Sequence, residues 1–523
     1  MELSLSAATA APIPTTPGGR ATPAIRPYRR RTPEDSVLHQ VVREHLNTFI
    51  ERAAAADGIG LPSFVERELR AYVDCGVLAR GFARMQCADC RRDQVIALSC
   101  KGRGFCPSCC GRRMADTAAH LVSNVIPDVP IRQWVLSLPF RLRYRLAYDA
   151  DLKRQILACF LKAVFAWYER WGGRWGAAHG QTGAATYGQR FGGSININVH
   201  FHAIVLDGVF HRPDPDADVR FLPLPPPTDD DILAVTIDTY RRVTRLLRRR
   251  DIHLWDDPFD DTEGDGDAGY DPLAEDSPAL AHFYAAAVQG TLAFHTDPTR
   301  PTRRQRTIPP DHGAHIPVPG ELRARLEGFD LHAGVAIPQG ARDALEHLCR
   351  YIARPPVATD RLDLLPTGEI AYRLRRPWSD GTTTLVFAPL DLVARLAALV
   401  PYPGKNSVHY HGVFAPRHAW RSEIVPRPPT GRAPGEPDPP PGGGTTDEHP
   451  RGRLPRAELL RRVFGIDAER CPHCGGRLRL LAFITEQSTI RTILQAMNLP
   501  ADPPQLAPAR APPMLDTMFD DVA

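Results

Sequence analysis

Residues 194–208 read SININVHFHAIVLDG, and their alternation predicts a β-strand with two unlike faces. Side chains of a strand point to opposite faces with a period of two. One face then carries only polar residues, which are Ser194, Asn196, Asn198, His200 and His202. The other face is apolar throughout, and Asp207-Gly208 is a turn signal at the end of the strand. We interpret the apolar face as packed on a core, and the polar face as solvated or as the floor of a site.

The two histidines of this strand form an H-x-H pair that could bind one metal ion. Positions i and i+2 of a strand are about 6–7 Å apart, so both imidazoles can reach the same cation. Imidazole nitrogens together with amide or carboxylate oxygens suit Mg²⁺ or Mn²⁺ loaded by phosphate, or a softer ion. A second H-x-H, at 409–411, lacks a two-faced strand before it and is broken at once by Gly412, so we interpret it as a loop or short edge strand.

Length and charge set broad limits on the protein. The 523 residues are enough for about three domains. Basic and acidic residues number 64 and 60, but arginines are concentrated at 236–252 and 420–432, and such local patches matter for a polyanionic partner. No apolar run approaches the roughly 18 residues of a membrane span, and the start of the chain lacks a secretory signal. We therefore expect a cytoplasmic protein without membrane contact.

Composition and periodicity divide the chain into six segments. We predict a disordered N-terminus, a cysteine-rich domain, a larger domain that contains the histidine strand and has an insertion at about 253–315, a Pro/Gly-rich linker, a short C-x-x-C module and a tail. These segments are residues 1–35, 36–115, 116–424, 425–455, 456–498 and 499–523.

Seven of the eleven cysteines lie between residues 75 and 110, which favours metal ligands over disulfides. Fifteen residues separate the pair Cys87/Cys90 from the pair Cys106/Cys109, and this is the spacing of a four-cysteine structural zinc site. Cys75, Cys100 and Cys110 are then surplus; they could hold a second ion, or Cys110 could replace Cys109. The spacing predicts a small zinc-ribbon-like module whose Zn²⁺ stabilises the fold and does no chemistry.

A third C-x-x-C pair, Cys471/Cys474, has no obvious partner pair nearby in the sequence. It is a half-site, a ligand set completed elsewhere in the chain, or a degenerate module. Zinc at this pair is therefore an open alternative.

Basic side chains near these motifs are candidate DNA contacts, although a solvated basic face would look the same in sequence. They flank the zinc knuckles, follow the arginine-rich helix after residue 236, or surround a tyrosine further on. The candidates are Arg91, Arg92, Lys101, Arg103, Arg241, Arg242, Arg245, Arg350 and Arg354.

That tyrosine, Tyr351, lies in ARDALEHLCRYIARPP at 341–356, which predicts a helix ending before the two prolines. Taken alone, a tyrosine between arginines would be an ordinary surface residue.

A third metal ligand would come from Gln189, in YGQRFG just before the histidine strand, or from His332 on a predicted strand at 329–337.

Three motifs in this order resemble the rolling-circle insertion-sequence transposases of the HUH endonuclease superfamily. They are CADC…SCKGRGFCPSCC, NINVHFHAIVLDGVF and LCRYIARPP. The resemblance implies an α+β fold with a mostly antiparallel central sheet flanked by helices, histidines on a central strand and a tyrosine on a facing helix. It also implies nicking and rejoining of single-stranded DNA, at element ends and target, through a 5′-phosphotyrosine on Tyr351 with Mg²⁺ or Mn²⁺ on His200 and His202.

The chain departs from this family at one position. Some members carry a second tyrosine four residues before the first, where this chain has His347. A single-tyrosine cycle or a second copy of the chain in a homo-oligomer would then be needed.

Three other functions stay open on sequence grounds. A plasmid-type replication initiator would use the same chemistry on an origin. A non-catalytic zinc-dependent DNA-binding protein would bind DNA without a covalent adduct. A metal hydrolase would need a further ligand and a base, but not Tyr351.

Overall fold

The computed structural model describes residues 26–27, 31–252, 271–294, 320–375, 382–404, 406–426, 466–467 and 469–510. Most of the predicted disordered N-terminus, nearly all of the predicted linker and the end of the tail lie outside these ranges, as do parts of the predicted insertion. No helix within the described ranges is long and apolar enough to cross a membrane.

The helices and strands alternate irregularly along the chain, as expected for an α+β protein. The α-helices are α1 Val37–Asp57, α2 Ser63–Val73, α3 Pro107–Asn124, α4 Phe140–Tyr148, α5 Ala150–Arg174, α6 Asp229–Arg249, α7 Pro272–Asp276, α8 Pro278–Gln289, α9 Arg342–Ile352, α10 Pro389–Leu399, α11 Arg421–Ile424 and α12 Gln487–Ala496. The strands are β1 Arg26–Pro27, β2 Phe82–Cys87, β3 Asp93–Ala97, β4 Ile131–Ser137, β5 Gly183–Phe191, β6 Ile197–Leu206, β7 Gly208–His211, β8 Arg220–Pro223, β9 Arg323–Leu326, β10 Phe329–Ile337, β11 Leu362–Leu364, β12 Ile370–Arg373, β13 Thr384–Phe387, β14 Val408–Gly412, β15 Ile466–Asp467 and β16 Leu478–Ile484. Single 3₁₀ turns occur at Pro33–Asp35, Leu78–Arg80 and Thr359–Arg361.

The largest sheet has six strands in the order β14-β5-β6-β4-β10-β9. Every neighbouring pair is antiparallel, so the predicted α+β fold with antiparallel sheets and flanking helices is confirmed. The histidine strand, β6, lies inside this sheet between β5 and β4. Smaller sheets are β16-β2-β3, β11-β12-β13, β7-β8 and β1-β15.

The two faces of β6 pack against different layers of helices. Val199, Phe201 and Ala203 are essentially inaccessible to solvent and join a core with α5, α6 and α8. The opposite face, which carries His200 and His202, is covered by apolar residues of α3 and α9. Fully burying each large apolar side chain is worth about 1.5–3 kcal/mol, so the period-two pattern fixes which side chains join the core with α5, α6 and α8.

Helix α9 covers the histidine face because one of its sides is apolar. Leu345, Leu348, Cys349 and Ile352 are buried at helical spacing, whereas Tyr351 is exposed. The predicted helix at this position is therefore present, and it ends before the two prolines.

Arg342 fixes α9 against α3. Its guanidinium donates hydrogen bonds to the carbonyl oxygens of Val122, Ile126 and Pro127, where α3 ends. Such bonds satisfy carbonyl groups left unpaired at a helix C-terminus. The start of α9 therefore lies at the end of α3, and α9 runs back along it.

The C-terminal module is not separate from the N-terminal zinc-binding segment. Strand β16 pairs antiparallel with β2, and Ile490 and Leu494 of α12 pack against Val77 and Leu78. The sequence suggests two modules, at 36–115 and 456–498, but they share one sheet. A two-stranded ribbon is marginal by itself, and β16 supplies its third strand.

The predicted insertion and tail also contribute to the packing. Within 253–315, α8 buries Leu280, Phe283 and Tyr284 in the main core. Within the tail, the carbonyl oxygen of Ala507 accepts a 2.8 Å hydrogen bond from the Asn47 side chain on α1. Both segments are therefore partly built into the fold.

Candidate active site and zinc centres

The structure brings His200 and His202 together on the face of β6 that α3 and α9 cover. Their ring centroids are 4.8 Å apart. His202 is only 6% exposed, and His200 is half-buried. The part of the polar face that carries the two histidines is therefore at least partly covered, whereas Ser194 and Asn196 lie before β6 begins.

Hydrogen bonds orient both rings. His200 Nδ1 lies 2.8 Å from the carbonyl oxygen of Asn198 and donates to it, which leaves Nε2 with a free lone pair. His202 Nδ1 lies 2.9 Å from the Gln133 side-chain amide, and His202 Nε2 lies 3.4 Å from Gln189 Oε1. Partners of this kind fix the orientation of histidines that bind metals.

Both imidazoles are held neutral. Burial lowers the pKa of His200 to about 4, and the positive charges of Arg354 and Arg143 lower it as well. Burial, followed by the neighbouring His200 and Arg354, lowers the pKa of His202 well below its usual value. Neutral rings keep the lone pairs that a metal ion needs.

Gln189 lies beside the histidines, and His332 does not. Gln189 pairs with His200 across β5 and β6 and is 1% exposed. His332 pairs with Val135, which in turn pairs with His202, so it lies two strands away. Two strand spacings amount to about 9–10 Å. Of the two sequence candidates for a third ligand, the geometry favours Gln189.

Asn198 offers a further oxygen that sequence reasoning did not select as a ligand. Its Oδ1 is buried and has no hydrogen-bond partner among the described residues. The signal is visible in the sequence, because Asn198 precedes His200 by two positions on the polar face. Oxygen donors are those that Mg²⁺ and Mn²⁺ prefer.

We expect replacement of Gln189 by alanine to weaken Mn²⁺ binding by about 10–100-fold, the range seen when groups that support a metal site are removed. His332→Ala is the matched control, because it removes an imidazole from the same face of the sheet. It should leave Mn²⁺ affinity within about twofold of the parent protein. Isothermal titration of Mn²⁺ into each variant measures both values. Weaker binding in His332→Ala alone would make His332 the ligand.

Tyr351 lies in the last turn of α9 and is 41% exposed. The guanidinium groups of Arg354 and Arg375 lie 4.6 and 5.7 Å from the centre of its ring. The next residue, Ile352, accepts a 3.3 Å hydrogen bond from the Gln189 amide through its carbonyl oxygen. One glutamine thus links the backbone beside Tyr351 to His202.

The arginines around Tyr351 have different surroundings. Arg354 acts electrostatically on both histidines, so it lies near them. Arg350 forms a 2.6 Å ion pair with Glu346 one turn earlier on α9. Arg143, which sequence reasoning missed, also acts on His200. It follows β4, whose Ser137 pairs with His200, and that adjacency can be seen only in the fold.

The remaining candidate DNA contacts are distributed over two regions. Arg91, Arg92 and Lys101 are exposed on the zinc-binding domain, and Arg103 is half-buried. Arg241 and Arg245 are exposed on α6, which packs on the face of the sheet opposite the histidines. Arg242 is ion-paired with Asp238 at 2.9 Å. The structure therefore does not place the α6 arginines at the histidine site.

The second H-x-H pair has the location expected from its sequence. His409 and His411 lie on the edge strand β14. His409 pairs with Thr186, and Thr186 pairs with Ala203, so His409 lies on the face opposite His202. His411 Nε2 is 3.0 Å from the Thr186 hydroxyl.

The cysteines form two clusters, and the predicted pairing of knuckles is not the one found. Cys106 and Cys109 lie with Cys75 and Cys100, whereas Cys87 and Cys90 lie with Cys471 and Cys474. The C-x-x-C spacing fixes each knuckle locally, but the tertiary fold decides which knuckles meet. Cys75 and Cys100 are therefore not surplus, while Cys110 belongs to neither cluster.

The geometry of the first cluster fits a zinc ion. Its sulfurs lie 3.5–3.7 Å apart in the pairs Cys75–Cys109, Cys100–Cys109 and Cys75–Cys106. A tetrahedron with Zn–S bonds of about 2.3 Å has edges of about 3.8 Å. The backbone N–H groups of Cys100 and Gly102 donate to the sulfurs of Cys75 and Cys100. Four convergent thiols with such donors make a closed, structural site.

The second cluster has the same donor set. Its sulfurs lie 3.4 Å apart for Cys87–Cys474 and 3.7 Å apart for Cys90–Cys471. The backbone N–H of Cys90 lowers the pKa of Cys87, and those of Cys474 and His473 lower the pKa of Cys471 to about 7. N–H groups aimed at sulfur favour the thiolate that binds a metal.

Two family models match this chain. The transposase zinc-binding domain matches residues 41–138, and the family described as "Putative transposase" matches residues 290–422. No curated protein and no solved structure shows significant similarity to the chain. The first match contains the cysteines from Cys75 to Cys109, the second contains Tyr351, and the histidine strand lies between them. Both matches are to transposase families, and together they support an IS91-type transposase with a zinc-binding domain near its N-terminus.

Proposed function

We propose that this transposase nicks and rejoins single-stranded DNA at the ends of its element through a covalent 5′-phosphotyrosine on Tyr351. The observation that carries the proposal is the position of Gln189. The oxygen of its side-chain amide lies 3.4 Å from His202 Nε2. The nitrogen of the same amide donates to the carbonyl oxygen of Ile352, the residue after Tyr351. A nucleophile and a metal-ligand set are thereby held on two elements joined by one side chain.

The residues around the histidines fit Mg²⁺ or Mn²⁺. The two neutral imidazoles have ring centroids 4.8 Å apart, the Gln189 oxygen lies 3.4 Å from His202 Nε2, and the unpartnered Asn198 oxygen lies on the same face. Such an ion, when bound, would neutralise charge on the scissile phosphate. Rotating the Gln133 amide by half a turn would let its oxygen accept the His202 Nδ1 proton and free Nε2 for the ion.

In the proposed cleavage, the Tyr351 oxygen attacks the phosphorus, the bond to the 3′ oxygen breaks, and a 3′ hydroxyl is released. The covalent bond conserves the energy of the phosphodiester, so rejoining needs no ATP. A 3′ hydroxyl of the element or of target DNA reverses the step. Arg354 and Arg375, beside the Tyr351 ring, would stabilise the developing negative charge.

The arginines at the site and on α6 should act differently. We expect Arg354→Ala to slow adduct formation at saturating DNA by about 10²-fold, as loss of one donor to a developing charge does. Arg245→Ala, on the opposite face of the sheet, should leave that rate unchanged and at most weaken binding. Single-turnover rates across a DNA titration separate the two effects. An equal loss of rate in both variants would contradict a role in the cleavage step for Arg354 alone.

Adduct formation tests the proposed function. Purified protein is mixed with labelled single-stranded DNA from the element's end and Mn²⁺ or Mg²⁺, and the products are separated under denaturing conditions. We expect a metal-dependent adduct that resists denaturation. Adducts with plasmid-origin DNA only would indicate a replication initiator, and tight binding without any adduct would indicate a non-catalytic DNA-binding protein.

A further inference from the structure

We propose that Cys87, Cys90, Cys471 and Cys474 bind a second zinc ion, which clasps the C-terminal segment onto the N-terminal domain. The proposal is independent of the DNA chemistry above. The paired cysteines are 381 and 387 residues apart in the chain. The ion would therefore close the polypeptide into a loop that contains the whole nuclease site.

The four sulfurs are placed for one tetrahedral ion. Each lies within 4.8 Å of the others, and the contacts between the two knuckles are 3.4 and 3.7 Å. Edges of about 3.8 Å are expected around zinc, whereas a disulfide would need sulfurs about 2.05 Å apart. The spacing is that of ligands around a shared ion.

The two knuckles have the same backbone turn. The residue after the second cysteine has a positive φ in each, 58° at Arg91 and 75° at Gly475. The N–H of each of these residues donates to the carbonyl of the first cysteine, at 3.2 Å to Cys87 and 2.9 Å to Cys471. A left-handed conformation costs a non-glycine residue such as Arg91 free energy, so the surrounding structure must hold it there.

Backbone hydrogen bonds and strand pairing connect the two knuckles. The N–H of Ala88 donates to the Arg477 carbonyl at 2.9 Å, and Leu478 pairs with Cys87 where β16 begins to run along β2. Cys471 and Leu478 are nearly inaccessible to solvent. The cysteine cluster thus lies at one end of the β2–β16 pairing, and zinc there would fix its register.

The first experiment counts metal ions in the purified full-length protein by inductively coupled plasma mass spectrometry. We expect two zinc ions per chain in the parent protein and one in Cys474→Ser. Cys159→Ser should keep two, because Cys159 lies outside both clusters. Cys474→His should also keep two, because it retains a zinc ligand. One ion in the parent, or no loss in Cys474→Ser, would overturn the second site.

The second experiment tests the clasp itself. A protease site is inserted within 437–444, in the Pro/Gly-rich stretch, and the full-length protein is cleaved there. We expect the C-terminal fragment to stay attached in buffer, and to be released by a zinc chelator or by Cys474→Ser. If the C-terminal fragment stayed attached both with the chelator and in Cys474→Ser, the proposal that zinc holds it would be wrong. Release of the fragment in buffer alone would also contradict the proposal. Neither experiment uses DNA, so both can fail while the proposed nuclease activity holds.

Discussion

Tyr351→Phe should abolish the covalent protein–DNA adduct and leave single-stranded DNA binding nearly unchanged. The substitution removes one oxygen and keeps the aromatic ring beside Arg354 and Arg375. Loss of a catalytic nucleophile typically lowers turnover by about 10³-fold or more. Adduct yield over time gives the rate of covalent attachment, and the Kd for the same oligonucleotide gives the affinity for single-stranded DNA.

Tyr240→Phe is the matched control for this variant. Tyr240 lies on α6, packs edge-on against Phe329 and belongs to the layer opposite the histidines. It should form adduct at the parent rate. A Tyr351→Phe protein that still forms adduct would exclude Tyr351 as the nucleophile, and equal losses in both variants would point to a general effect on folding.

His200→Ala should remove both Mn²⁺ binding at the site and adduct formation. Loss of a direct ligand should lower metal affinity by at least the roughly 10–100-fold seen for supporting residues. Because His200 is half-buried and held neutral, alanine removes a ligand without leaving a buried charge. Manganese titration and the adduct assay at increasing Mn²⁺ should show the same shift.

His411→Ala is the control, because it removes a histidine with the same spacing motif from the other face of the sheet. Burial lowers the pKa of His411 to about 4, as it does for His200. We expect full metal binding and activity in this variant. If His411→Ala lost the metal and His200→Ala kept it, the assignment of the two H-x-H motifs would be reversed.

The local parts of the site could be predicted from the sequence. Alternation along 194–208 predicts a strand with two unlike faces, and β6 has them over residues 197–203, although Ser194 and Asn196 lie before the strand begins. The stretch 341–356 predicts a helix that ends before its two prolines, and α9 ends at Ile352. These features depend only on periods of two and of about 3.6 residues.

The long-range parts could not be predicted in the same way. Cys87/Cys90 and Cys106/Cys109 have the spacing of one zinc site, yet each pair joins cysteines outside that motif. The pairing of β2 with β16 links distant segments, and no local pattern records it. The amphipathic pattern of α6 likewise shows a surface helix without showing which layer it occupies. The pattern therefore offered its arginines as candidate DNA contacts without showing that they lie on the face of the sheet opposite the histidines.

The most direct test of the nuclease site is to locate the DNA on the protein. Trypsin should release Tyr351 in the peptide 351–361, YIARPPVATDR, because the bond between Arg354 and Pro355 resists cleavage and no other tyrosine is present. Mass spectrometry of nuclease-trimmed adduct should find a nucleotide 5′-phosphate on this peptide. A nucleotide on any other peptide, or no modified peptide despite tight DNA binding, would contradict Tyr351 as the nucleophile.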